Sequence, residues 1–213
     1  SATTPETITI DGSLSEWSSE SNMATDSNNV TLSMTWDTQN LYLAWEGTDW
    51  KSSSEGADLF VYINTSEGGS VLSKDWNFAH TLPFAADHGF VMENDSYFRH
   101  IEYDGTAWAE QSTTVEVYAG WENNKVTEIS LPWSALGSPT SFEIMAYSQW
   151  QDDGHVWTSF PIQNPASSNG AETFTHAWHV ENVNDSVNPS TLPVVETGGV
   201  EKVSDALNLA IVF

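Results

Sequence analysis

Cysteine is absent from this chain of 213 residues, and basic residues are scarce. Without cysteine there is no disulfide, no thiolate metal site and no cysteine nucleophile. Lys and Arg total 5 against 30 Asp and Glu, which gives a formal net charge of −25. A chain with this charge lacks the cationic surface that displaces counterions from phosphate. The charge therefore excludes a nucleic-acid binder and argues against docking on anionic lipid.

Long apolar runs and the common catalytic motifs are also missing. No stretch approaches 18 consecutive apolar residues, so we expect no membrane span. The chain contains no Gly-x-Ser-x-Gly, His-Glu-x-x-His or P-loop motif. The 30 carboxylates make chance pairs so common that a glycosidase dyad cannot be inferred from them. We therefore expect a protein that is not an enzyme.

The composition that is present favours a folded, secreted protein. The chain is 39% hydrophobic and 12% aromatic, which is enough to bury a core. Ser and Thr are abundant, Lys is scarce, and the chain starts without Met, as after removal of a signal peptide. These features predict an extracellular or cell-surface location.

The first clear structural pattern is a β-hairpin. Residues 30–36 alternate between apolar and polar side chains, as in a strand with one buried face. A polar turn at 37–40 follows, and then an apolar segment at 41–45. Two such segments around a short turn predict an antiparallel pair.

Strand patterns continue along the chain and define the fold class. Residues 59–63 are apolar on both faces, which predicts a central strand. A helical turn is predicted at 132–136, with Gly137 after its end. Further strands are predicted at 89–93, 97–103, 114–119, 125–131, 142–148, 156–160 and 174–180. This spacing predicts an all-β fold, a two-sheet antiparallel β-sandwich.

The domain organisation follows from where the strand pattern ends. The sandwich is predicted over 1–181, followed by a polar linker rich in Pro, Asn, Ser and Gly over 182–204. An apolar strand at 205–213 ends the sequence. An apolar strand on a flexible linker either returns to its own sheet edge or pairs with the edge of a neighbouring copy.

Four segments resemble extracellular sandwiches related to family 9 carbohydrate-binding modules. Residues 8–17 (ITIDGSLSEW) resemble the opening motif of these modules, and 36–45 (WDTQNLYLAW) the hairpin that follows it. Residues 58–63 (DLFVYI) resemble the next strand, and 128–137 (EISLPWSALG) a later strand and turn. The resemblance implies a jelly-roll or DOMON-like sandwich over residues 8 to about 180. That superfamily includes sugar binders, haem-binding domains and surface-structure modules, so the resemblance leaves the function open.

The resemblance to haem-binding members suggests three candidate haem ligands in this chain. Some DOMON domains ligate haem through Met with His or Lys, and Met92 with His88 and His100 is a candidate set of this kind. A Met and a His in one sheet are, however, common by accident.

Oxygen-rich groups along the chain are candidate calcium ligands, since calcium takes six to eight oxygens. Asp11 and Glu16, with Asp26 downstream, match the place where the resembling modules hold a structural ion. The other groups are Asp87, Glu93, Asn94 and Asp95, and the pair Asp152 and Asp153. A solvated acidic surface is the alternative, but bound cations would relieve the self-repulsion of a chain at −25. We therefore predict at least one calcium site.

Eleven tryptophans are more than a core of this size needs, and seven of them lie in or near predicted loops. Aromatic rings dock the faces of sugars, while a few polar groups take the hydroxyls. By analogy with the tryptophan sandwich of the resembling family, the predicted ligand site comprises Trp50, Lys51, Trp76, Asn77, Arg99 and Trp178. The alternative is that these rings cover sheet ends or subunit contacts.

Two functions remain open at this point. The first is a calcium-stabilised, secreted subunit that assembles with copies of itself into an extracellular filament, tube or sheath. The alternative is a carbohydrate-binding module of a secreted glycan-active protein, with a polysaccharide as its partner.

Overall fold

The structure is a computed structural model that describes residues 4–48, 50, 57–75, 78–150, 153–166 and 170–197. Its strands form two main antiparallel sheets that pack face to face, which confirms the predicted β-sandwich. No helix in these described ranges is long and apolar enough to cross a membrane.

The smaller main sheet contains five strands. They are β1 (Asn22–Thr25), β2 (Thr31–Trp36), β3 (Asn40–Glu46), β10 (Glu116–Tyr118) and β11 (Val126–Pro132). Their order is β1-β2-β3-β11-β10, so β1 and β10 are the edges. The predicted hairpin is confirmed as β2 and β3, with Trp36 opposite Leu41. Asp37 closes the turn, because its Oδ1 accepts from the backbone N–H groups of Gln39 and Asn40 at 2.7 and 2.8 Å.

The larger main sheet contains eight strands. They are β4 (Ala57–Asn64), β7 (His88–Asn94), β8 (Tyr97–Tyr103), β9 (Trp108–Glu110), β12 (Phe142–Trp150), β13 (Val156–Phe160), β14 (His176–Val180) and β15 (Val194–Glu196). The order is β15-β14-β12-β4-β7-β8-β9, and β13 pairs with β12 beside β14. The predicted central strand is β4, which lies between β12 and β7.

Short elements complete the architecture. A two-stranded ribbon joins β5 (Ser70–Leu72) to β6 (Thr81–Ala86). The 3-10 helices are η1 (Leu14–Glu16), η2 (Ser19–Ser21), η3 (Trp133–Leu136) and η4 (Pro189–Thr191). The predicted helical turn at 132–136 is η3, and Gly137 ends it with a φ of 78°.

Both sheets are covered on their outer faces as well as on their inner ones. The main core between the sheets includes Trp36, Trp45 and Val61. On the outer face of the larger sheet, Phe60 and Tyr147 pack under the apolar side chains of β6. On the outer face of the smaller sheet, the N-terminal segment covers polar side chains of β2 and β11. For this reason β2 is buried on both faces rather than on one.

Residues 182–197 differ from the predicted linker, because they pack along the sandwich. Val195 of β15 pairs with Ala177 of β14, and the Val183 carbonyl accepts from the Trp36 indole N–H at 2.9 Å. The Thr4 N–H donates to the Val187 carbonyl at 2.9 Å, and the Val187 N–H donates to Thr4 Oγ1 at 3.1 Å. Backbone groups thus tie this segment to the sandwich despite its polar composition. The remaining predicted linker and the apolar strand at 205–213 lie outside the described residues.

Candidate functional site

The opening motif is held by a buried carboxylate of β11. Glu128 has no exposed surface, and its Oε2 accepts from the N–H groups of Asp11 and Gly12 at 3.0 and 2.6 Å. Its Oε1 accepts from the Trp17 indole N–H at 2.8 Å. Burial raises the pKa of Glu128, while these three hydrogen bonds act in the opposite direction. Glu128 therefore organises the loop in which the first calcium site was predicted.

The first predicted calcium group is turned toward its own backbone. Glu16 Oε2 accepts from the Thr9 N–H at 2.6 Å. Asp11 Oδ1 accepts from the Ser13 N–H at 2.9 Å. Asp26 Oδ1 accepts from the backbone N–H groups of Asn28 and Val30. Each of these three carboxylates thus accepts hydrogen bonds from backbone N–H groups that are close to it in sequence.

The second predicted calcium group is split between the two ends of β7. Asp87 precedes the strand and accepts from the Thr65 and Ser66 hydroxyls at 2.6 and 2.7 Å. Asn94 ends the strand, and Asp95 follows it. A seven-residue strand is about 23 Å long, so Asp87 cannot share an ion with the other end. The predicted group is therefore not one site.

The remaining calcium candidates are also separate. Glu93 is half-buried and Asp153 is exposed, whereas Asp152 lies outside the described residues. Within the described ranges, no three His, Asp or Glu side chains are arranged to hold a metal ion. The structure thus does not bring these described residues together into one group, and calcium binding remains a prediction from the sequence.

The predicted tryptophan site does not form around Trp50 and Trp178. Trp50 is 1% exposed, and its ring packs edge-to-face against Trp45 at 5.9 Å. Trp178 of β14 is 3% exposed in the same core. A ring with so little exposure offers no face to a ligand, which corrects the prediction for both residues. Lys51, Trp76 and Asn77 lie outside the described residues.

Arg99 is the candidate ligand residue that the structure places on an open surface. Its guanidinium lies over the Tyr97 ring, 4.4 Å from the ring centre, and Nε is 3.4 Å from Glu110 Oε2. The Tyr97 hydroxyl donates to Glu110 Oε1 at 2.5 Å, a bond that raises the pKa of Tyr97. The Arg99 and Glu110 side chains are 38% and 51% exposed. The three groups are therefore preorganised and still open to solvent.

Two more aromatic rings continue this surface. On β8, Tyr97, Arg99 and Tyr103 occupy alternate positions and so share one face of the strand. Trp108 of β9 pairs with Tyr103, and their rings are 5.5 Å apart. We call these residues, together with Glu110, the Arg99 face. It extends about 20 Å along β8 and presents half-buried rings beside a guanidinium and a carboxylate.

A buried polar cluster lies at one end of the same sheet, and sequence reasoning missed it. Asp58 of β4 is 1% exposed, and neither of its oxygens has a hydrogen-bond partner among the described residues. Burial, followed by the charges of Glu93 and Asp75, raises the pKa of Asp58 to about 7. Gln149 pairs with Asp58 in register and contacts His80 Nε2 at 2.7 Å. The sequence feature that could have revealed this cluster is Asp58 itself, an aspartate near the start of a largely apolar strand.

The candidate haem ligands are arranged as a packed pair and a core residue. His88 Nδ1 and His100 Nε2 are 3.0 Å apart, and both rings are buried. Burial and the neighbouring His88 lower the pKa of His100 to about 4. Met92 is fully buried in the main core. The two imidazoles bond to each other instead of facing a shared ligand space with Met92.

Comparison with known proteins gives one structural similarity. No family model matches the chain, and no curated protein matches it significantly. A solved carbohydrate-binding module of family 9 from Caldicellulosiruptor kristjanssonii, in complex with glucose, is similar over 89% of this chain and 91% of that one. The identity is 10% and the TM-score is 0.38. The comparisons do not support the more specific relation to DOMON domains.

Proposed function

We propose that the protein is a non-enzymatic, extracellular β-sandwich that binds a polysaccharide on the Arg99 face. The main support is that the side chains of Arg99, Tyr97 and Glu110 contact one another and remain open to solvent. Aromatic rings can take the C–H faces of sugars, while the guanidinium and carboxylate take hydroxyl groups. Arg99 is the single arginine in a chain at −25, which supports a specific role for it.

Preorganisation of these groups favours binding. Glu110 bonds both Tyr97 and Arg99, so the side chains need little further ordering when a sugar docks. The length of the face, about 20 Å, suits a chain of several sugar units rather than a monosaccharide.

Affinity electrophoresis through a panel of neutral and acidic polysaccharides tests this proposal. We expect retardation of the full chain by at least one polysaccharide. Arg99→Gln should weaken that binding about 10- to 100-fold, because a charged hydrogen bond is worth about 1.5–3 kcal/mol. Trp108→Ala should weaken it as well.

Trp121→Ala is the matched control, because Trp121 is 38% exposed in the turn between β10 and β11, away from β8. Its retardation should equal that of the unchanged protein. Equal retardation of all three variants, or no retardation by any polysaccharide, would contradict the proposal.

Calcium binding stays a prediction from the sequence. Melting curves with added calcium and with a chelator test it independently of sugar binding. A melting temperature that rises with calcium supports an ion site, and unchanged curves contradict it.

A second candidate function is self-assembly outside the cell. The apolar pattern of residues 206–213 and the outer edge of β10, which no described strand pairs with, favour it.

A further inference from the structure

Half-buried apolar side chains lie along the outer edge of β10. This strand is the last of the smaller sheet, and no described strand pairs with its outer edge. Val115, Val117 and Ala119 occupy alternate positions and pack against the main core while remaining partly exposed. Phe98 of β8 is half-buried against the same core. We call these four residues the β10 edge groove.

The two sheets are not closed over each other at this edge. A cavity of about 290 Å³ lies beside Phe98 and Val115. Arg99, His100 and the polar segment 111–114 also line it. Apolar side chains entering from this edge would therefore contact the core without displacing a strand.

The chain contains a segment with the matching pattern. Residues 206–213 carry no charge, although the whole chain carries −25. Leu207, Leu209, Ile211 and Phe213 alternate with smaller or polar residues, so in a strand they share one face. Their two-residue spacing matches that of Val115, Val117 and Ala119 in the β10 edge groove, and their larger side chains complement these smaller ones.

The topology favours a second copy over the chain's own segment as the source of the added strand. Thr197 is fixed beside β14, where its N–H donates to the Thr175 carbonyl at 2.9 Å. From β15 to β8 the larger sheet spans five strand spacings, about 24 Å, and the second sheet lies about 10 Å further. The straight distance is therefore about 26 Å. The connection from Thr197 to Ala206 extends at most about 31 Å. Because the straight line crosses the packed core, the connection would have to follow a longer path around the sandwich.

We propose that residues 206–213 of one copy add as a strand to the outer edge of β10 in a second copy. Leu207, Leu209, Ile211 and Phe213 then fill the β10 edge groove, and backbone hydrogen bonds extend the smaller sheet. Because each copy offers both a segment and a groove, the contact is head-to-tail and builds a polymer or ring.

Introduced cysteines test this pairing cleanly, because the chain has none of its own. Glu116 is exposed on β10 and alternates with the core-facing Val115 and Val117. Ala210 alternates in the same way with the large apolar residues of 206–213 in the sequence. Ala210→Cys protein mixed with Glu116→Cys protein should form intermolecular disulfides under mild oxidation, several-fold faster than a mixture with Thr25→Cys. Thr25 is an exposed residue of the opposite edge strand β1 and serves as the control. Equal rates for the two mixtures would overturn the proposal.

The combined variant Glu116→Cys with Ala210→Cys shows whether the segment that pairs with β10 comes from the same copy or from a second copy. Disulfide-linked multimers are expected at all concentrations that permit assembly. A monomer with an internal disulfide would overturn the proposal, because the segment would then lie on its own β10.

Removal of residues 205–213 provides a second, independent measurement. We expect light scattering to show a monomer that keeps the β-type circular dichroism and the melting temperature of the full chain. Unfolding of the truncated chain, or unchanged multimers, would overturn the proposal. Affinity electrophoresis of the truncated chain measures polysaccharide binding separately from these outcomes.

Discussion

The indole N–H of Trp17 donates to Glu128 across 111 positions of the sequence, and the N–H groups of Asp11 and Gly12 donate to the other oxygen of the same carboxylate. Glu128 is thereby the acceptor around which the opening motif folds. A carboxylate with three donors and no exposed surface is costly to bury and costly to alter.

Glu128→Gln should lower the free energy of unfolding by about 2 kcal/mol or more, because the amide nitrogen would face N–H donors in place of an acceptor oxygen. Urea denaturation measures the change. Glu16→Gln is the control, since Glu16 is exposed, and its effect should stay within about 0.5 kcal/mol. Equal effects of the two variants would show that Glu128 has no special role.

Asp58 should make stability depend on pH. Its folded-state pKa of about 7 lies above the ordinary aspartate value of 3.8, so between these values the folded state holds a proton that the unfolded state releases. The stabilisation is complete below about pH 4 and is lost as the pH rises through 7, on the order of 4 kcal/mol in total. Asp58→Asn should remove this fall in stability, as measured by urea denaturation from pH 4 to pH 8.

Asp95→Asn is the matched control for the pH series, because Asp95 is exposed. Its pH dependence should follow that of the unchanged protein. A slope for Asp58→Asn that equals the slope for Asp95→Asn would show that Asp58 titrates normally.

Trp50→Ala should lower the free energy of unfolding by about 3–5 kcal/mol, the usual cost of removing a large ring from a core. Trp150→Ala should cost less than about 1 kcal/mol, since that ring is 38% exposed. Guanidinium denaturation distinguishes the two. A small effect of Trp50→Ala would return Trp50 to the candidate ligand residues.

Gly12 should not tolerate a side chain. It has a φ of 81°, and an added Cβ would overlap the Tyr118 ring. Gly12→Ala should therefore cost more than Gly105→Ala, which has a similar φ of 95° but open space around it. The backbone strain common to both is about 1 kcal/mol, and the excess in thermal denaturation measures the overlap. Equal costs would show that the Tyr118 ring moves aside freely.

Local patterns sufficed for much of the fold. The alternation in 30–36 and the apolar run in 59–63 located β2 and β4, because side-chain periodicity is a property of each strand alone. Five strands, β1, β5, β6, β9 and β15, went unpredicted, and three of these contain only three residues. Three residues carry too little pattern to detect, and such strands form through the partners they meet.

The candidate site depended on information that the sequence does not carry locally. Trp50 follows a predicted loop, yet its ring turns inward to Trp45, and only the packed structure reveals this. Arg99 belongs to the predicted ligand site, and the structure places its side chain on an open surface. Its partners Tyr97 and Glu110 come together through the pairing of β8 with β9, which sequence spacing does not fix.

The attachment of residues 182–197 gives the molecule a mechanical order of yielding. A force applied at the C-terminal end loads β15 first, which is held to β14 by three residue pairs. The two hydrogen bonds between Thr4 and Val187 lie further back along the chain. Because these contacts lie in series, we expect tension on the C-terminal end to detach residues 182–197 before it strains the main sheets.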